Sequence, residues 1–259
     1  MSLLSTEDRR NRLAEILISQ GSVKVGVLAD SFDVSTETIR KDLIYLESKG
    51  IVRKSHGRAV PASNFLDIER PFEKKNIEKT DIKNRIAQAA IDLIPDKGVL
   101  ILDTGSTVYS LARLLVLKKG LTIFTNSISN VQAIAGSEND VYILGGKIRS
   151  TSMASVGSWG VTETNDIHAD MVFLGTDGFE GSEGPCTASY EESEIKKAMI
   201  KRARIKVIVS DSSKFDIAGL FKFCNWSDVD HFVTDSHISK KALTELSQNV
   251  NVITVNDND

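Results

Sequence analysis

The sequence predicts two domains of different class: a small winged helix-turn-helix at the N-terminus, then a larger α/β domain with a mostly parallel sheet. Three observations carry this. In residues 1–60 a tight pair of amphipathic helices, a capped basic helix and a basic Gly-containing hairpin follow one another directly. Beyond a polar stretch between Pro61 and Pro71, apolar runs of buried-strand length alternate with amphipathic helices. Those runs end repeatedly in small hydrogen-bonding residues, as expected where strand ends receive a polar ligand.

The 259 residues are 41% apolar, enough to build a core for both domains. No apolar run of about eighteen residues exists to span a bilayer. Glu7, Asp8, Arg9, Arg10 and Arg12 occupy the place of a secretory signal, so a cytoplasmic protein without membrane contact is expected. Cys186 and Cys224 form no C-x-x-C pair, and His56, His168, His231 and His237 are scattered, so neither a disulfide framework nor a metal site is expected. The sequon Asn225-Trp226-Ser227 has no meaning without secretion. Net charge is −3, but it divides unevenly: residues 1–60 carry ten Lys or Arg against eight Asp or Glu, and the remainder 22 against 27. Between Thr36 and Arg58 the balance is +3, a local basic patch of the kind that meets nucleic acid.

A first helix carries Leu13, Ile16 and Leu17 and closes at Gly21. A second carries the stripe Val25, Leu28, Ala29 and Phe32. After the turn Asp33-Val34-Ser35, Ser35 caps a third helix that runs to about Lys49 on the apolar face Ile39, Leu43 and Leu46. In a helix-turn-helix the N-terminal end of this helix enters the major groove, which selects Ser35, Thr36, Glu37, Thr38, Arg40 and Lys41 as candidate DNA contacts. Short hydroxyls there approach base edges or phosphates, and Arg40 suits guanine. The hairpin from Ile51 to Val60 forms the wing, with Arg53, Lys54, His56 and Arg58 toward phosphates. Residue by residue, a plain helical bundle with solvated charges explains each feature as well; the consecutive order of the parts favours DNA binding.

Residues 1–60 are expected to form this head, 61–75 a linker and 76–259 the second domain. There, Ile82, Ile86, Ala89, Ala90 and Leu93 make a helical stripe, Pro95 ends it, and Val99 to Leu102 is a buried strand. Strand ends follow at Asp103-Thr104-Gly105-Ser106-Thr107, Thr125-Asn126-Ser127, Gly145-Gly146-Lys147, Gly175-Thr176-Asp177-Gly178, Asp211-Ser212-Ser213-Lys214 and Thr234-Asp235-Ser236. Gly105-Ser106-Thr107 opens an amphipathic helix, which makes it either a phosphate cradle or simply a tight turn with a cap. Neither a dinucleotide nor a nucleoside-triphosphate fingerprint occurs, so no cofactor is expected. The helix led by Glu191, Glu192 and Glu194 reads as a solvated surface helix, with Lys196, Lys197, Lys201 and Arg202 on its outer sides.

The run from Val25 to Glu47, with Leu28-Ala29, Phe32, Val34-Ser35, Thr38-Ile39-Arg40-Lys41-Asp42-Leu43 and Leu46, followed by Arg53 and His56-Gly57, resembles the N-terminal signature of the DeoR family of bacterial sugar-metabolism regulators. Asp103 to Thr107, Leu144-Gly145-Gly146, Glu192 to Ile200 and Asp211 to Phe215 are similar to that family's sensor domain. Lys41 stands where a second Arg is usual and Arg58 replaces a Gly in the wing, so operator sequence does not transfer. The resemblance implies a sensor fold like ribose-5-phosphate isomerase and coenzyme A transferases, and a phosphorylated sugar or sugar alcohol as effector. By position it selects Asp103, Thr104, Gly105, Ser106, Thr107, Thr125, Asn126, Gly145, Gly146, Asp177, Glu192 and Lys214, although Asp177 also reads as a turn residue and Lys214 as a solvated lysine. A repressor of a carbohydrate-utilisation operon, a homodimer or homotetramer on double-stranded operator DNA, is the leading expectation. An isomerase-type enzyme using Glu192 or Asp177 with Lys214, and carrying a DNA-binding module, is the alternative; a purely structural DNA binder explains the polar strand ends poorly.

Overall fold

The computed structural model describes residues 5–20, 23–48, 51–55, 58–61, 71–179, 183–217 and 219–256, with backbone alone for 18–20, 53–55 and 58–61. Two units are present, Met1–Glu69 with Ala188–Tyr190, and Arg70–Thr187 with Glu191–Asp259.

The first unit contains α1 (Thr6–Gln20), β1 (Val23–Lys24), α2 (Val25–Phe32), α3 (Thr36–Ser48), β2 (Val52–Ser55) and β3 (Arg58–Pro61). Asp33 takes a left-handed conformation (φ 51°) that ends α2, and the Ser35 hydroxyl accepts from the Thr38 amide at 3.1 Å to start α3. The turn read from the sequence is therefore the turn observed. Leu13, Leu17, Leu28, Ile39, Leu43 and Leu46 close a dry core. The wing is an antiparallel pair, Val52 opposite Pro61, and β1 adds a third strand against Ala59 and Arg58. Asp42, one of the three acids in the charge balance of residues 36–58, is 1% exposed and accepts from Arg9 Nε at 2.7 Å and Arg10 Nε at 2.8 Å, tying α1 to α3.

The second unit runs α4 (Phe72–Ile77), α5 (Thr80–Ile91), β4 (Gly98–Leu102), α6 (Ser106–Leu114), β5 (Leu121–Thr125), α7 (Ile128–Ile134), β6 (Asp140–Ile143), β7 (Lys147–Arg149), β8 (Ala154–Val156), α8 (Ser158–Asn165), β9 (Ala169–Leu174), β10 (Cys186–Thr187), α9 (Tyr190–Arg202), β11 (Ala203–Val209), β12 (Phe221–Lys222), β13 (His231–Asp235), α10 (Lys240–Leu246) and β14 (Asn251–Val255). Its sheet has seven strands in the order β14-β13-β11-β9-β4-β5-β6, every pair parallel. One face is buried by α5, α6 and α7 through Ile86, Ala90, Val108, Leu111 and Ile134, the other by α9 and α10 through Ile195, Met199 and Leu246. A parallel sheet needs cover on both faces, which is why its strands read as continuous apolar runs.

The chain leaves β4 toward β5 on one side and returns as β9 on the other. Such a reversal leaves a crevice beyond the carboxyl ends of the two strands, where open α/β sheets bind ligands. The stretch 61–75, expected to be linker, contributes its last residues to this unit: Phe72 is buried edge-on to Tyr109 at 5.6 Å and its amide donates to Thr151 O at 2.8 Å.

Candidate functional site

The ends of β4, β9 and β11 border the crevice, and a cluster of charge sits there. Lys75 at the end of α4 donates to Asp177 Oδ1 at 2.6 Å, and Lys79, in a left-handed turn before α5, donates to Asp211 Oδ1 at 3.0 Å. Lys83 lies on the buried face of α5, where its ammonium donates to the carbonyls of Lys75 and Glu78. Burial pulls the Lys83 pKa down to about 8, with Lys214 and Lys75 adding to the effect against Asp211 and Glu78. Burial likewise lowers Lys214, opposed by Asp177 and reinforced by Lys75 and Lys79. The Lys214 ammonium has no hydrogen bond or ion pair to any described residue. Burial disfavours ionised Asp211, but the Ser213 hydroxyl and Lys79 outweigh it and hold the carboxyl below its ordinary range. Four ammonium groups thus stand against Asp177, Asp211 and Glu78. Among the described residues the ammonium groups of this cluster outnumber its carboxylates by one, and Lys214 is the one without a hydrogen bond or ion pair.

Beside this cluster Gly105 (φ 127°) turns the chain from β4 into α6, whose first-turn amides receive no side-chain cap. Ser106 and Thr107 are nearly buried within that turn. The Thr104 hydroxyl donates to Ser152 O at 3.0 Å. Asp103 is fully buried; its Oδ2 accepts from Lys196 Nζ and from the Gly175 amide at 3.0 Å, tying the end of β4 to that of β9. Lys196, read as a surface base, is 3% exposed because α9 turns it under the crevice. Burial holds the Asp103 carboxyl above its usual range, with Lys196 pulling the other way.

Glu192 is buried between Arg149 Nη1 at 3.3 Å and the Thr187 hydroxyl at 3.1 Å; the same hydroxyl lies 3.0 Å from Asp177 Oδ2, and its single proton serves one carboxylate at a time. Thr125 turns inward, accepting from the Ser127 amide and from Asn130 Nδ2 at 3.1 Å, and Asn126 donates to Ser155 O at 3.2 Å. Asp103 Oδ1, Asn126 Oδ1 and Asn130 Oδ1 are buried acceptors without a partner. Gly145 and Gly146 serve packing at the sheet edge. The Gly145 amide donates to Glu163 Oε2 at 2.6 Å, while Gly146 (φ 147°) lies so close to the Val156 backbone that no Cβ fits.

On α3, Thr36, Glu37, Arg40 and Lys41 are exposed, Ser35 is spent as the cap and Thr38 is half-buried. Glu37 lies 3.6 Å from Arg40, both largely in solvent. Arg53, Lys54 and Arg58 lie on β2 and β3, their side chains outside the described residues, as is His56.

Sequence reasoning missed Lys75, Lys79 and Lys83. The available signal was Lys83 itself, which shares a helix face with Ala87 and Ala90 and so places a lysine on the apolar side of α5.

The DeoR-like helix-turn-helix domain matches residues 9–65 and the DeoR C terminal sensor domain matches residues 78–236. This chain belongs to the DeoR family of transcriptional regulators. Its relatives in that family match it nearly end to end. A protein of Escherichia coli O157:H7 assigned as the aga operon transcriptional repressor is 32% identical over 97% of this chain and 95% of its own length. The glycerol-3-phosphate regulon repressor of Escherichia coli K12 is 29% identical over 88% of this chain and 90% of its own, and the lactose phosphotransferase system repressor of Streptococcus mutans 28% over 95% and 98%. Among solved structures, ribose 5-phosphate isomerase A of Methanocaldococcus jannaschii is 19% identical, covering 53% of this chain and 55% of its own at a TM-score of 0.40. As a DeoR-family regulator the chain pairs a DNA-binding helix-turn-helix with a sensor domain. Among the described residues no helix is long and apolar enough to cross a membrane, and no cluster of three or more metal-ligating side chains occurs.

Proposed function

We propose that this regulator represses a carbohydrate-utilisation operon in the cytoplasm and that a phosphorylated sugar or sugar alcohol, bound at the crevice beyond β4, β9 and β11, changes its operator affinity. In this reading the head, residues 1–60, contacts DNA through Thr36, Glu37, Thr38, Arg40, Lys41 and the wing's Arg53, Lys54, His56 and Arg58, as a dimer or tetramer matched to a symmetric site. The sensor, residues 76–259, is completed by Lys75 from the connecting stretch. The carrying observation is the unpaired Lys214 ammonium beside Lys75, Lys79 and Lys83 at the sheet's switch point. A phosphate dianion supplies the missing negative charge, and the uncapped first turn of α6 at Gly105, Ser106 and Thr107 offers it amides. The unpartnered oxygens of Asp103, Asn126 and Asn130 accept only, so they favour a ligand carrying hydroxyl donors.

A sensor without turnover fits the carboxylates better than an isomerase does. Asp177 is ion-paired to Lys75 and Glu192 to Arg149, whereas proton transfer between adjacent carbons needs a carboxylate free to take the proton. The test is fluorescence anisotropy on the chain's own upstream DNA at fixed salt, with sugar phosphates, the matching free sugars and inorganic phosphate. One sugar phosphate is expected to shift operator affinity, and Lys214→Ala to weaken its effect roughly 10–100-fold, the worth of one charge-assisted contact. Operator affinity unmoved by every phosphate ester, or isomerase turnover abolished in Lys214→Ala, overturns the reading.

A further inference from the structure

The outward face of α3 carries one residue that its charges do not explain. Helical spacing turns Ile39, Asp42, Leu43 and Leu46 inward, and all four are buried. The opposite face holds Glu37, Arg40 and Lys41, with Ile44 at their centre: seven residues after Glu37, four after Arg40 and three after Lys41. Ile44 is 54% exposed. A β-branched apolar side chain gains nothing there for the fold, since its helix propensity is modest and it meets no core. Tyr45 beside it is 42% exposed, but the Arg10 guanidinium lies over its ring at 4.1 Å, which accounts for its place. Asp42 points inward to Arg9 and Arg10, so the charges around Ile44 are Arg40 and Lys41 against Glu37. Glu47 is exposed one turn past Ile44, farther from the end that Ser35 caps.

We infer that Ile44 reads the C5 methyl group of a thymine in the operator, a specificity-determining contact additional to those of the polar residues. The contact presupposes the reading of α3 as the helix that enters the major groove. There the thymine methyl marks a T·A pair as surely as its hydrogen-bonding groups do, and an apolar side chain recognises it because the contact removes both from water. Size favours a methyl over a protein partner. A protein interface needs a contiguous surface of hundreds of Å², whereas Ile44 is ringed by Glu37, Arg40, Lys41 and Glu47 and matches a single methyl group. Reach agrees. Ile44 lies about 6 Å along the helix axis from Arg40 at about 1.5 Å per residue, and base pairs stack about 3.4 Å apart. A guanine bound by Arg40 and a thymine met by Ile44 therefore lie within about two base pairs of each other. Being uncharged, Ile44 adds nothing to phosphate attraction, so its contribution appears only on the cognate sequence.

The test is fluorescence anisotropy of the full chain on the operator in its own upstream DNA, with each thymine replaced in turn by deoxyuridine, which loses the methyl and keeps every hydrogen-bonding group. One such replacement per half-site is expected to weaken wild-type binding about fourfold, the worth of one buried methyl group. Ile44→Ala should bind the unmodified operator more weakly by about fourfold or more, ignore that same replacement, and keep wild-type affinity for random duplex. Lys41→Ala should bind more weakly yet remain sensitive to the replacement. Because Ile44 is exposed, the alanine variant is expected to melt with wild type, which circular dichroism checks. The sensitive thymine should fall within about two base pairs of the guanine whose 7-deaza replacement costs wild type but not Arg40→Ala. Wild type indifferent to every deoxyuridine, Ile44→Ala still sensitive at the same thymine, a sensitive thymine outside that span, or Ile44→Ala weakened equally on random duplex overturns the inference and leaves the DNA-binding head intact. No specific binding by wild type overturns both.

Discussion

Replacing Lys196 by Met isolates the energetics beneath the crevice. Lys196 and Asp103 are a buried ion pair with side chains 4% and 0% exposed, and the variant leaves the Asp103 carboxylate with only the Gly175 amide on Oδ2. Removing one partner of such a pair costs about 3–5 kcal/mol, because the remaining charge is buried without compensation. For a domain of this size that is a fall in melting temperature of roughly 6–20 °C. Both tryptophans, Trp159 and Trp226, lie in the second unit, so their fluorescence follows its unfolding selectively. The double variant Asp103→Asn, Lys196→Met removes both charges at nearly constant volume and is expected to recover most of the loss. Burial already raises the Asp103 pKa. A carboxyl whose folded pKa lies above its unfolded value binds a proton in the native state that the unfolded chain releases, so its contribution falls as pH rises between the two. Without Lys196 the folded value rises further, and the deficit of the single variant should therefore be smaller at pH 5 than at pH 7.5. A single variant within about 1 kcal/mol of wild type at pH 7.5, or a double variant no better than the single, refutes this account of the pair.

Effector binding should be linked to proton uptake near pH 8, since a bound phosphate raises the pKa of Lys83, about 8 in the free protein, and of the lowered Lys214. Affinity then falls as pH rises past 8, and calorimetry in two buffers of different ionisation enthalpy reads the uptake directly; buffer-independent heats would sink the idea. Asp42→Ala removes the acceptor of both Arg9 and Arg10 and should destabilise the head by about 1–3 kcal/mol, less than a fully buried pair because both guanidinium groups are partly solvated. Circular dichroism of the head's melting checks it, with an unchanged transition as the contrary result. Arg40→Ala should weaken specific operator binding by about 1–3 kcal/mol while leaving binding to random duplex nearly unchanged, as expected of a base contact; equal loss on both duplexes would assign Arg40 to the phosphates instead.

The head was legible almost residue by residue because its signals are local: Ser35 caps, Asp33 turns, and the apolar stripes repeat at helical spacing. The alternation that predicted a parallel sheet was legible for the same reason. Asp42 and Lys196 were not, because a charged residue on an amphipathic helix reads as solvated unless its distant partner is known, and Arg9 lies 33 residues from Asp42 and Asp103 lies 93 from Lys196. The crevice was half legible. Polar strand ends marked Asp103 to Thr107, Asp177 and Lys214, but three of the four lysines come from α4, α5 and the turn between them, and of these Lys75 falls in the stretch 61–75 read as linker.

That origin bears on how binding is converted into a change of state. A ligand shifts an equilibrium only by as much as it prefers one arrangement over another. Lys75, Lys79 and Lys83 belong to one short segment, whereas Lys214 sits on the turn after β11, more than a hundred residues away in sequence. A phosphate held by both sides adds contacts only while the segment and the turn are close, so it stabilises that arrangement specifically. Inorganic phosphate satisfies the ammonium groups but leaves the acceptor oxygens of Asp103, Asn126 and Asn130 without donors, and a free sugar does the reverse. Only a molecule carrying both a phosphate and hydroxyls bridges the two sets, and coupling of the usual 1–3 kcal/mol is within the reach of one or two such contacts. The discrimination between a pathway intermediate and its unphosphorylated precursor then follows from charge count before any fit of shape.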